Sequence, residues 1–341
     1  MKTLLFLNGP EGWQSGIEDG FVHLRDIGEI SELSWFYFEA FAKNNNTKDS
    51  ILKMLELVNE FQPKLIIFFH VGKFPISIDF ITNIKQCGSK PKLVYDEGDM
   101  YGGWAKPITK SMKILFSNSD IVSIRGLGKW YKTIKKYNNN VVYTPHSNSL
   151  YRISKDKELK TEKKYRFIFI GNKVTSYFGK IRRLNGSKER EKIVRVIADN
   201  FPNQIKIFGK GWNGIKGYQG LLDFNKQVDV CLNSWVQISY EHYPKIPLYF
   251  SDRLPIALSS GQIYVCHYHD GYENMFINTD FIYFYKDKNE LLDILVYLNS
   301  LSEEQLYNKS IRAKEWCEIN LSPLTVWSNL YNAIKKRYDS I

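Results

Sequence analysis

The chain has 341 residues, of which 43% are hydrophobic and 15% aromatic. At roughly 150 residues per domain this length predicts about two domains, and the composition excludes a disordered or fibrous protein. Lys and Arg number 47 against 36 Asp and Glu, a net charge of +11. That surplus suggests an anionic partner, which could be a phosphorylated ligand, a nucleic acid or an anionic membrane face.

The four cysteines, Cys87, Cys231, Cys266 and Cys317, lie far apart and form no CxxC pair. This spacing argues against a zinc ribbon or a disulfide scaffold and is typical of a protein in a reducing cytosol. The apolar start of the chain stops at Asn8, which is too soon for a signal peptide. No apolar run approaches the roughly 20 residues of a membrane-spanning helix. We therefore expect a cytoplasmic protein.

Short apolar runs alternate with amphipathic segments in the first half of the chain. Residues 64–69 (KLIIFF) form a continuous apolar run, as expected of a strand covered on both faces of a parallel sheet. The predicted strands are 4–7, 64–69, 92–95, 121–124 and 141–143, and the predicted helices are 50–61, 78–86 and 128–137. Repeated strand–helix–strand order predicts a doubly wound α/β domain.

A charged stretch at residues 155–164 interrupts this order and is the best candidate for a linker. Beyond it the alternation resumes. The predicted strands are 167–170, 205–208, 228–232, 263–266 and 281–284, and the predicted helices are 190–199, 253–259, 290–298, 303–320 and 323–338. The sequence therefore predicts two consecutive Rossmann-like domains.

Three loops follow predicted strands of the second half, where ligands bind in open α/β sheets. They are Gly171-Asn172-Lys173, Gly209-Lys210-Gly211-Trp212 and Asn233-Ser234. Glycine lets a ligand approach the backbone, and helix amides attract phosphate. The basic residues that add charge are Lys173, Lys210, Arg182 and Arg183. Each loop alone could simply end its strand, but the three together indicate a phosphorylated ligand.

Residues 249–265 form the most informative stretch. Ser251 or Asp252 can cap a helix that starts near Arg253, and Gly261 can end it just before a buried strand. Because a helix cap beside an arginine suits an anion, this stretch suggests a diphosphate site.

The same stretch resembles the C-terminal half of GT-B glycosyltransferases, especially the CgeB-type (group 1) set. The pattern of that set is Ser-x-Arg-x-x-(Glu)-Ala-Leu-x-x-Gly followed by a strand. Segments 167–172, 207–212, 231–233, 269–276 and 285–291 resemble further motifs of the set in order and spacing. The resemblance covers about 165–300 well and the first half only by pattern. One departure is Ile256, which stands where relatives often have a glutamate that holds the donor ribose.

The resemblance implies a GT-B fold, with two Rossmann-like doubly wound domains facing a cleft. It implies an acceptor-side domain at 1–155, a nucleotide-sugar domain at 156–322, and a C-terminal helix at 323–341 that returns to the first domain. The donor-binding residues would be Gly171, Asn172, Lys173, Arg183, Gly209, Lys210, Gly211, Asn233, Ser251, Asp252 and Arg253. The nucleotide-sugar is a substrate, so no cofactor is expected. No metal is expected either, because helix amides and basic side chains can stabilise the leaving diphosphate.

Candidate acceptor-side groups lie at strand ends of the first half. They are Asp19, in a predicted loop after the first strand, His70, and the cluster Asp96, Glu97 and Asp99. A carboxylate or histidine there could take a proton from an acceptor hydroxyl, as inverting transfer needs. Each residue alone could be a turn residue. The cluster of Asp96, Glu97 and Asp99 is the stronger candidate, because neighbouring carboxylates repel one another and a function would explain why they are close. The cluster also resembles a metal-binding motif of the GT-A class, which the complete second Rossmann-like half disfavours.

We therefore expect a cytoplasmic glycosyltransferase that moves a sugar from a nucleotide donor to a hydroxyl of a glycan, polysaccharide or lipid-linked acceptor. The basic surplus suggests peripheral contact with the anionic inner face of the membrane. The alternative is a non-catalytic nucleotide-sugar or glycan-binding protein on a degenerate GT-B fold, which Ile256 makes conceivable. Nucleic-acid binding is not expected, because the basic residues are spread along the chain without an RNP, zinc-finger or basic-zipper pattern.

Overall fold

The computed structural model describes residues 1–102, 106–174, 184 and 186–338. The chain divides into two compact units, Met1–Pro145 with Pro323–Ile341, and His146–Ser322. The second unit thus begins ahead of the charged stretch at 155–164. The reason is that Leu150 is buried in an apolar cluster of the second unit, together with Ile168 and Phe208.

The first unit is a six-stranded parallel sheet in the order β2-β1-β3-β4-β5-β6. Its strands are β1 (Lys2–Leu7), β2 (Glu32–Tyr37), β3 (Leu65–Phe69), β4 (Lys92–Glu97), β5 (Ile121–Ile124) and β6 (Val141–Tyr143). Its first six helices are α1 (Ser15–Asp26), α2 (Phe38–Asn44), α3 (Thr47–Phe61), α4 (Ile78–Gln86), α5 (Lys110–Asn118) and α6 (Gly128–Ile134). Leu5 pairs with Ile67, which pairs with Val94, and all three are fully buried. Burial on both faces explains why β3 is apolar throughout and why the middle of β1 and of β4 is apolar.

Three elements of the first unit, β2, α2 and α5, were not predicted, and one prediction was wrong. The strand β2 lies at the sheet edge and its residues are only half-buried or exposed, so it lacks the apolar run that predicts a buried strand. The predicted loop at 8–19 ends at Gln14, so Asp19 lies in helix α1. Glycines weaken the helical pattern there. Gly20 is needed, because a Cβ at this position would lie 2.3 Å from Cδ1 of Trp327.

The second unit is a five-stranded parallel sheet in the order β11-β10-β9-β7-β8. Its strands are β7 (Tyr165–Ile170), β8 (Ile205–Phe208), β9 (Ser234–Ser239), β10 (Ile263–His267) and β11 (Ile282–Tyr285). Its helices are α7 (Tyr151–Ser154), α8 (Ser187–Asn200), α9 (Gln227–Leu232), α10 (Arg253–Ser259), α11 (Tyr272–Met275), α12 (Lys288–Ser300) and α13 (Glu303–Leu321). The two parallel sheets with their helices confirm the predicted α/β fold class.

The predicted strand at 228–232 is wrong, because these residues belong to helix α9. Val228, Cys231 and Leu232 are buried, whereas Asp229 is exposed, a spacing that matches one face of a helix. A five-residue apolar run fits a strand and a buried helix equally well. The true strand is β9, which begins at Ser234.

The last helix, α14 (Pro323–Tyr338), belongs to the first unit and packs on α1. Its Trp327 ring lies 5.9 Å from that of Phe21, and the Tyr331 hydroxyl donates to the Glu29 carbonyl at 2.9 Å. No helix of the described ranges is both long and apolar enough to cross a membrane.

Candidate functional site

The strand order of the second sheet places a switch point at β7. From β7 the chain continues to β8 on one side, and it returns to β9 on the other. In open α/β sheets such a point opens a crevice beyond the carboxyl ends of the strands, where ligands bind. The residues that follow β7, β8 and β9 are therefore the candidate site.

The loops after β7 and β8 interlock through their backbones. Gly209 has φ +125°, and a Cβ there would lie 2.4 Å from the Gly171 carbonyl oxygen, so only glycine fits. The Lys210 amide donates to Asn172 Oδ1 at 2.8 Å, and Trp212 Nε1 donates to the Gly171 carbonyl at 2.6 Å. The structure thus brings together six predicted donor residues, namely Gly171, Asn172, Lys173, Gly209, Lys210 and Gly211.

Arg190, which the sequence analysis missed, connects the β7 loop to the segment after β9. This α8 side chain is buried, and its Nε donates to the Tyr240 carbonyl at 2.7 Å. Its Nη1 lies 3.2 Å from the Asn172 carbonyl and 2.7 Å from Nε2 of His242. Burial and the neighbouring Arg253 lower the pKa of Arg190 to about 10, so the guanidinium is still charged at neutral pH.

Glu241, also missed, is the carboxylate at the centre of this cluster. It follows β9, is 5% exposed, and accepts two hydrogen bonds from Arg253 Nη2, at 2.9 Å and 2.7 Å. Hydroxyls of Ser239 and Ser251 lie 3.1 Å and 3.0 Å from its Oε1, and Arg190 Nη2 lies 4.0 Å from its Oε2. Burial raises the pKa of Glu241, but Arg253 and Arg190 outweigh it and lower the pKa to about 2.

The structure corrects the predicted helix cap at 251–253. Ser251 donates to Glu241 instead of capping α10, and Asp252 makes no side-chain cap bond although it holds the N-cap position. Arg253 is paired with Glu241, not held apart for an arriving anion. Glu241 and Arg253 are 12 residues apart in the sequence, so the local pattern at the start of the helix could not predict their ion pair.

Two other predicted donor residues lie elsewhere. Asn233 ends helix α9, before β9 begins, and so lies at the amino end of the strand. Its Oδ1 accepts from Lys160 Nζ at 2.7 Å, on the edge of the sheet opposite the candidate site. Arg183, with Arg182, lies outside the described residues. Ile256 is 1% exposed in an apolar cluster with Ile168, where it fills the core.

A cavity of about 540 Å³ adjoins Tyr240, whose carbonyl binds Arg190. Aromatic and basic side chains share its wall, among them Tyr240, His267, Tyr285, Lys192, Lys286 and Lys288. Burial and the neighbouring His269 lower the pKa of His267 to about 4, so its ring is neutral at pH 7. The volume falls in the usual range for small-molecule sites.

In the first unit, Asp96 is a structural residue and not a proton acceptor. It is buried, and both of its oxygens accept from Arg125, at 2.7 Å and 2.5 Å. Ser123 Oγ donates to the same carboxylate at 2.5 Å. Because this carboxylate is buried and both of its oxygens are bound by Arg125, it is not exposed to an acceptor hydroxyl or to a metal ion. The described residues contain no cluster of three or more metal-ligating side chains.

Glu97 and His70 form a charged pair at the ends of β4 and β3. The His70 Nδ1 to Glu97 Oε1 distance is 2.5 Å, and Glu97 also accepts from the Tyr95 hydroxyl and from the Asp99 amide. Burial lowers the pKa of His70, but the attraction and hydrogen bond of Glu97 outweigh it and raise the pKa to about 9. His70 is therefore protonated at pH 7, which corrects its prediction as a base. Asp99 is half-exposed and pairs with Lys106 at 2.5 Å.

A sequence signal for Glu241 existed. Residues 234–239 (SWVQIS) have the β-branched and aromatic content of a strand, and the acid two positions later stands at its carboxyl end. Because the strand was predicted at 228–232, Asn233 was expected at its carboxyl end in place of Glu241. Arg190 had no such signal, because a helical arginine is usually exposed and only the fold buries it.

Comparisons with known proteins give a fold and no closer relationship. No family model matches the sequence, and neither does any curated protein. The structure of a glycosyltransferase from Rickettsia africae ESF-5 matches with a TM-score of 0.57 at 12% identity, over 98% of this chain and 97% of that one. Anabaena Alr3699/HepE in complex with UDP and glucose matches with a TM-score of 0.57 at 11% identity, over 100% of both chains.

A co-structure of S. aureus MnaA with UDP matches with a TM-score of 0.54 at 10% identity, over 100% of this chain and 98% of that one. The chain has the GT-B fold. At 10–12% sequence identity, the similarity to these structures shows a shared fold and does not show a shared activity. The narrower resemblance to the CgeB-type set stays a prediction.

Proposed function

We propose that this protein is a glycosyltransferase that takes a sugar from a nucleoside diphosphate donor, and that its second unit binds the donor. The observation that carries the proposal is the cluster of Arg190, Arg253 and Glu241 beside the interlocked loops of Gly171 and Gly209. Two guanidiniums face one carboxylate, so the cluster keeps an excess positive charge at the carboxyl edge of a GT-B sheet. Such a charge stabilises a leaving diphosphate.

The cavity next to this cluster suits the nucleoside. Tyr240 and His267 offer rings on which a base can stack, and Lys286 and Lys288 add positive charge at the same wall. The HepE and MnaA structures that share the fold contain UDP, which makes a uridine nucleotide the first one to test.

For the acceptor we propose the first unit, with Asp99 as the general base. Of the clustered acids, Asp96 is bound by Arg125 and Glu97 is fully buried beside a protonated His70. Asp99 is half-exposed on the same edge of the sheet, and Lys106 holds it in place. An exposed carboxylate can accept the proton of an attacking hydroxyl.

We also propose that helices α5 and α6 contact an anionic membrane face. Residues 106–136 contain eight Lys and Arg and one acid, Asp120. The two helices are neighbours, because the ring centroids of Phe116 on α5 and Trp130 on α6 lie 6.3 Å apart. Exposed lysines therefore share one layer: Lys110, Lys113, Lys129, Lys132 and Lys136. A face of this charge is attracted to acidic lipid.

A non-catalytic nucleotide-sugar or glycan-binding protein is the second candidate. The burial of Ile256 in the core favours it, because no carboxylate can contact a ribose from that position. Binding without turnover would select this candidate.

Calorimetric titration tests the donor site. UDP, GDP, ADP, CDP and dTDP are titrated separately, with EDTA and then with Mg²⁺. We expect at least one to bind without metal. Lys210→Ala should weaken binding by about 1.5–3 kcal/mol, the usual worth of a hydrogen bond to a charged group. Lys206→Ala, on β8 itself, is the matched control. If no nucleotide binds the folded protein, or if binding needs Mg²⁺, the metal-free donor site is wrong.

A further inference from the structure

The segment Asn8–Gln14 joins β1 to α1 at the carboxyl edge of the first sheet. β1 lies between β2 and β3, and the chain leaves it in opposite directions for these two strands. The segment therefore lies at the switch point of the first sheet, where open α/β sheets bind ligands.

Trp13 presents an aromatic face from this segment. It is 39% exposed, and its amide donates to the Pro10 carbonyl at 3.2 Å. Gly9 has φ +82°, and a Cβ there would lie 2.3 Å from Trp13 Cε3, so the ring packs directly on glycine backbone. The Gly12 amide donates to the Tyr37 hydroxyl at 3.3 Å. These contacts fix an exposed ring in one place.

Two buried acceptors lie in the same segment without donors. Asn8 is 5% exposed, and no described residue donates to its Oδ1. Gln14 holds the N-cap position of α1 without capping it, and its buried Oε1 also lacks a donor among the described residues. Buried polar atoms are nearly always satisfied, so these two oxygens indicate a ligand that supplies hydrogen-bond donors.

The charge of the segment limits the ligand. Residues 8–14 contain one acid, Glu11, and no Lys, Arg or His. Because the segment has no cation, it offers a phosphate or another anion no charged partner. A ligand with hydroxyl donors, one apolar face and no negative charge fits instead.

We propose that Asn8, Trp13 and Gln14 bind the acceptor, and that this acceptor ends in a neutral pyranose. The apolar C–H face of the sugar stacks on Trp13, and its hydroxyls donate to Asn8 and Gln14. The inference rests on the proposed glycosyl transfer and adds the chemical class of the acceptor. It also separates a site for a neutral sugar in the first unit from a cationic donor site in the second.

The test uses ¹⁹F NMR of the full chain labelled with 5-fluorotryptophan. The chain has 8 Trp, and Trp13→Phe assigns the Trp13 signal. The probes are methyl glycosides and disaccharides of the common neutral hexoses and N-acetylhexosamines. We expect at least one sugar to shift the Trp13 signal. The affinity for that sugar is then measured by calorimetric titration. We expect Trp13→Ala and Gln14→Ala to weaken its binding by about tenfold and about fivefold respectively, as lost stacking and a lost hydrogen bond imply.

Tyr297→Ala is the matched control, because Tyr297 is an exposed aromatic on α12 of the other unit. It should leave the sugar affinity unchanged. The proposal is overturned if no sugar shifts the Trp13 signal, if UDP shifts it more than any sugar does, or if Trp13→Ala binds sugar as tightly as the wild type. UDP affinity of the wild-type protein is measured separately. UDP binding without sugar binding refutes this site alone, and sugar binding without UDP binding refutes the proposed donor site alone.

Discussion

Arg253 Nη2 lies 2.9 Å and 2.7 Å from the two carboxylate oxygens of Glu241. Both side chains are largely buried, and the attraction of Glu241 outweighs burial and raises the pKa of Arg253. The pair joins the segment after β9 to the start of α10. Arg253 therefore stabilises the fold in addition to supplying positive charge. Its removal should lower the stability of the protein, whereas removal of an exposed arginine at a helix end should not.

We expect Arg253→Met to lower the free energy of unfolding by about 3–5 kcal/mol, the usual cost of leaving one buried charge without its partner. Urea denaturation measures this loss. The double variant Glu241→Gln/Arg253→Met should lose less than the two single variants together. Arg312→Met is the control, because Arg312 and Asp280 form an ion pair that is half-exposed. It should cost under about 1 kcal/mol. Equal losses for Arg253→Met and Arg312→Met would contradict the buried pair.

A second prediction concerns stability at alkaline pH. The folded-state pKa of His70, about 9, exceeds the ordinary value of 6.5, so the folded state holds this proton more tightly. The stabilisation is fully present below about pH 6.5 and disappears as pH rises through about 9, a loss on the order of 3 kcal/mol. Urea denaturation between pH 6.5 and 10 measures it. His70→Gln and Glu97→Gln should each flatten the curve, and a wild-type slope in both would refute the charged pair.

A third prediction concerns the acceptor side. Asp99→Asn should lower glycosyl transfer by about 10² or more, because an amide cannot accept the hydroxyl proton. Nucleotide affinity should stay at the wild-type value. Asp26→Asn is the control, since Asp26 is an exposed acid at the far end of α1. Normal transfer by Asp99→Asn would reduce Asp99 to a surface partner of Lys106.

A fourth prediction concerns the basic face of α5 and α6. Replacement of Lys129, Lys132 and Lys136 by glutamine should weaken binding to phosphatidylglycerol vesicles by about 10²-fold, since each lysine near an anionic surface contributes about 1 kcal/mol. Binding of the wild type should fall with added salt. The control removes the same charge from Lys43, Lys48 and Lys53. Equal losses in the two triple variants, measured by vesicle sedimentation, would show that only net charge matters.

The sequence predicted the strands and helices whose hydrophobic pattern is clear within one short stretch of consecutive residues. The apolar run at 64–69 gives β3, and the patterns at 253–259 and 323–338 give α10 and α14 within the same bounds. The half-buried edge strand β2 was missed because its pattern is not distinctly apolar, and 228–232 was misassigned because a short apolar run fits either structure.

The sequence predicted the part of the candidate site that is formed by the backbone of the glycine loops, and it did not predict the buried side chains. The glycines at 171 and 209 mark strand ends in the sequence itself. Glu241, Arg190 and Arg253 depend on burial and on contacts across 12 to 52 residues, which no local pattern contains. The role of Ile256 could not be predicted from the sequence either, because only the structure shows that it packs with Ile168 in the core.

Glycosyl transfer from a nucleotide-sugar releases a nucleoside diphosphate, so measurement of this release decides whether the protein is a glycosyltransferase. Purified protein is incubated with a panel of UDP-, GDP-, ADP-, CDP- and dTDP-sugars, with and without the sugar that shifts the Trp13 signal. Chromatography with mass spectrometry then measures the free nucleotide and the sugar product. We predict release of one nucleoside diphosphate, faster with the acceptor sugar and at least about 10²-fold slower in Asp99→Asn. No release from any donor by folded protein that binds nucleotide would contradict the account and leave a binding protein on a GT-B fold.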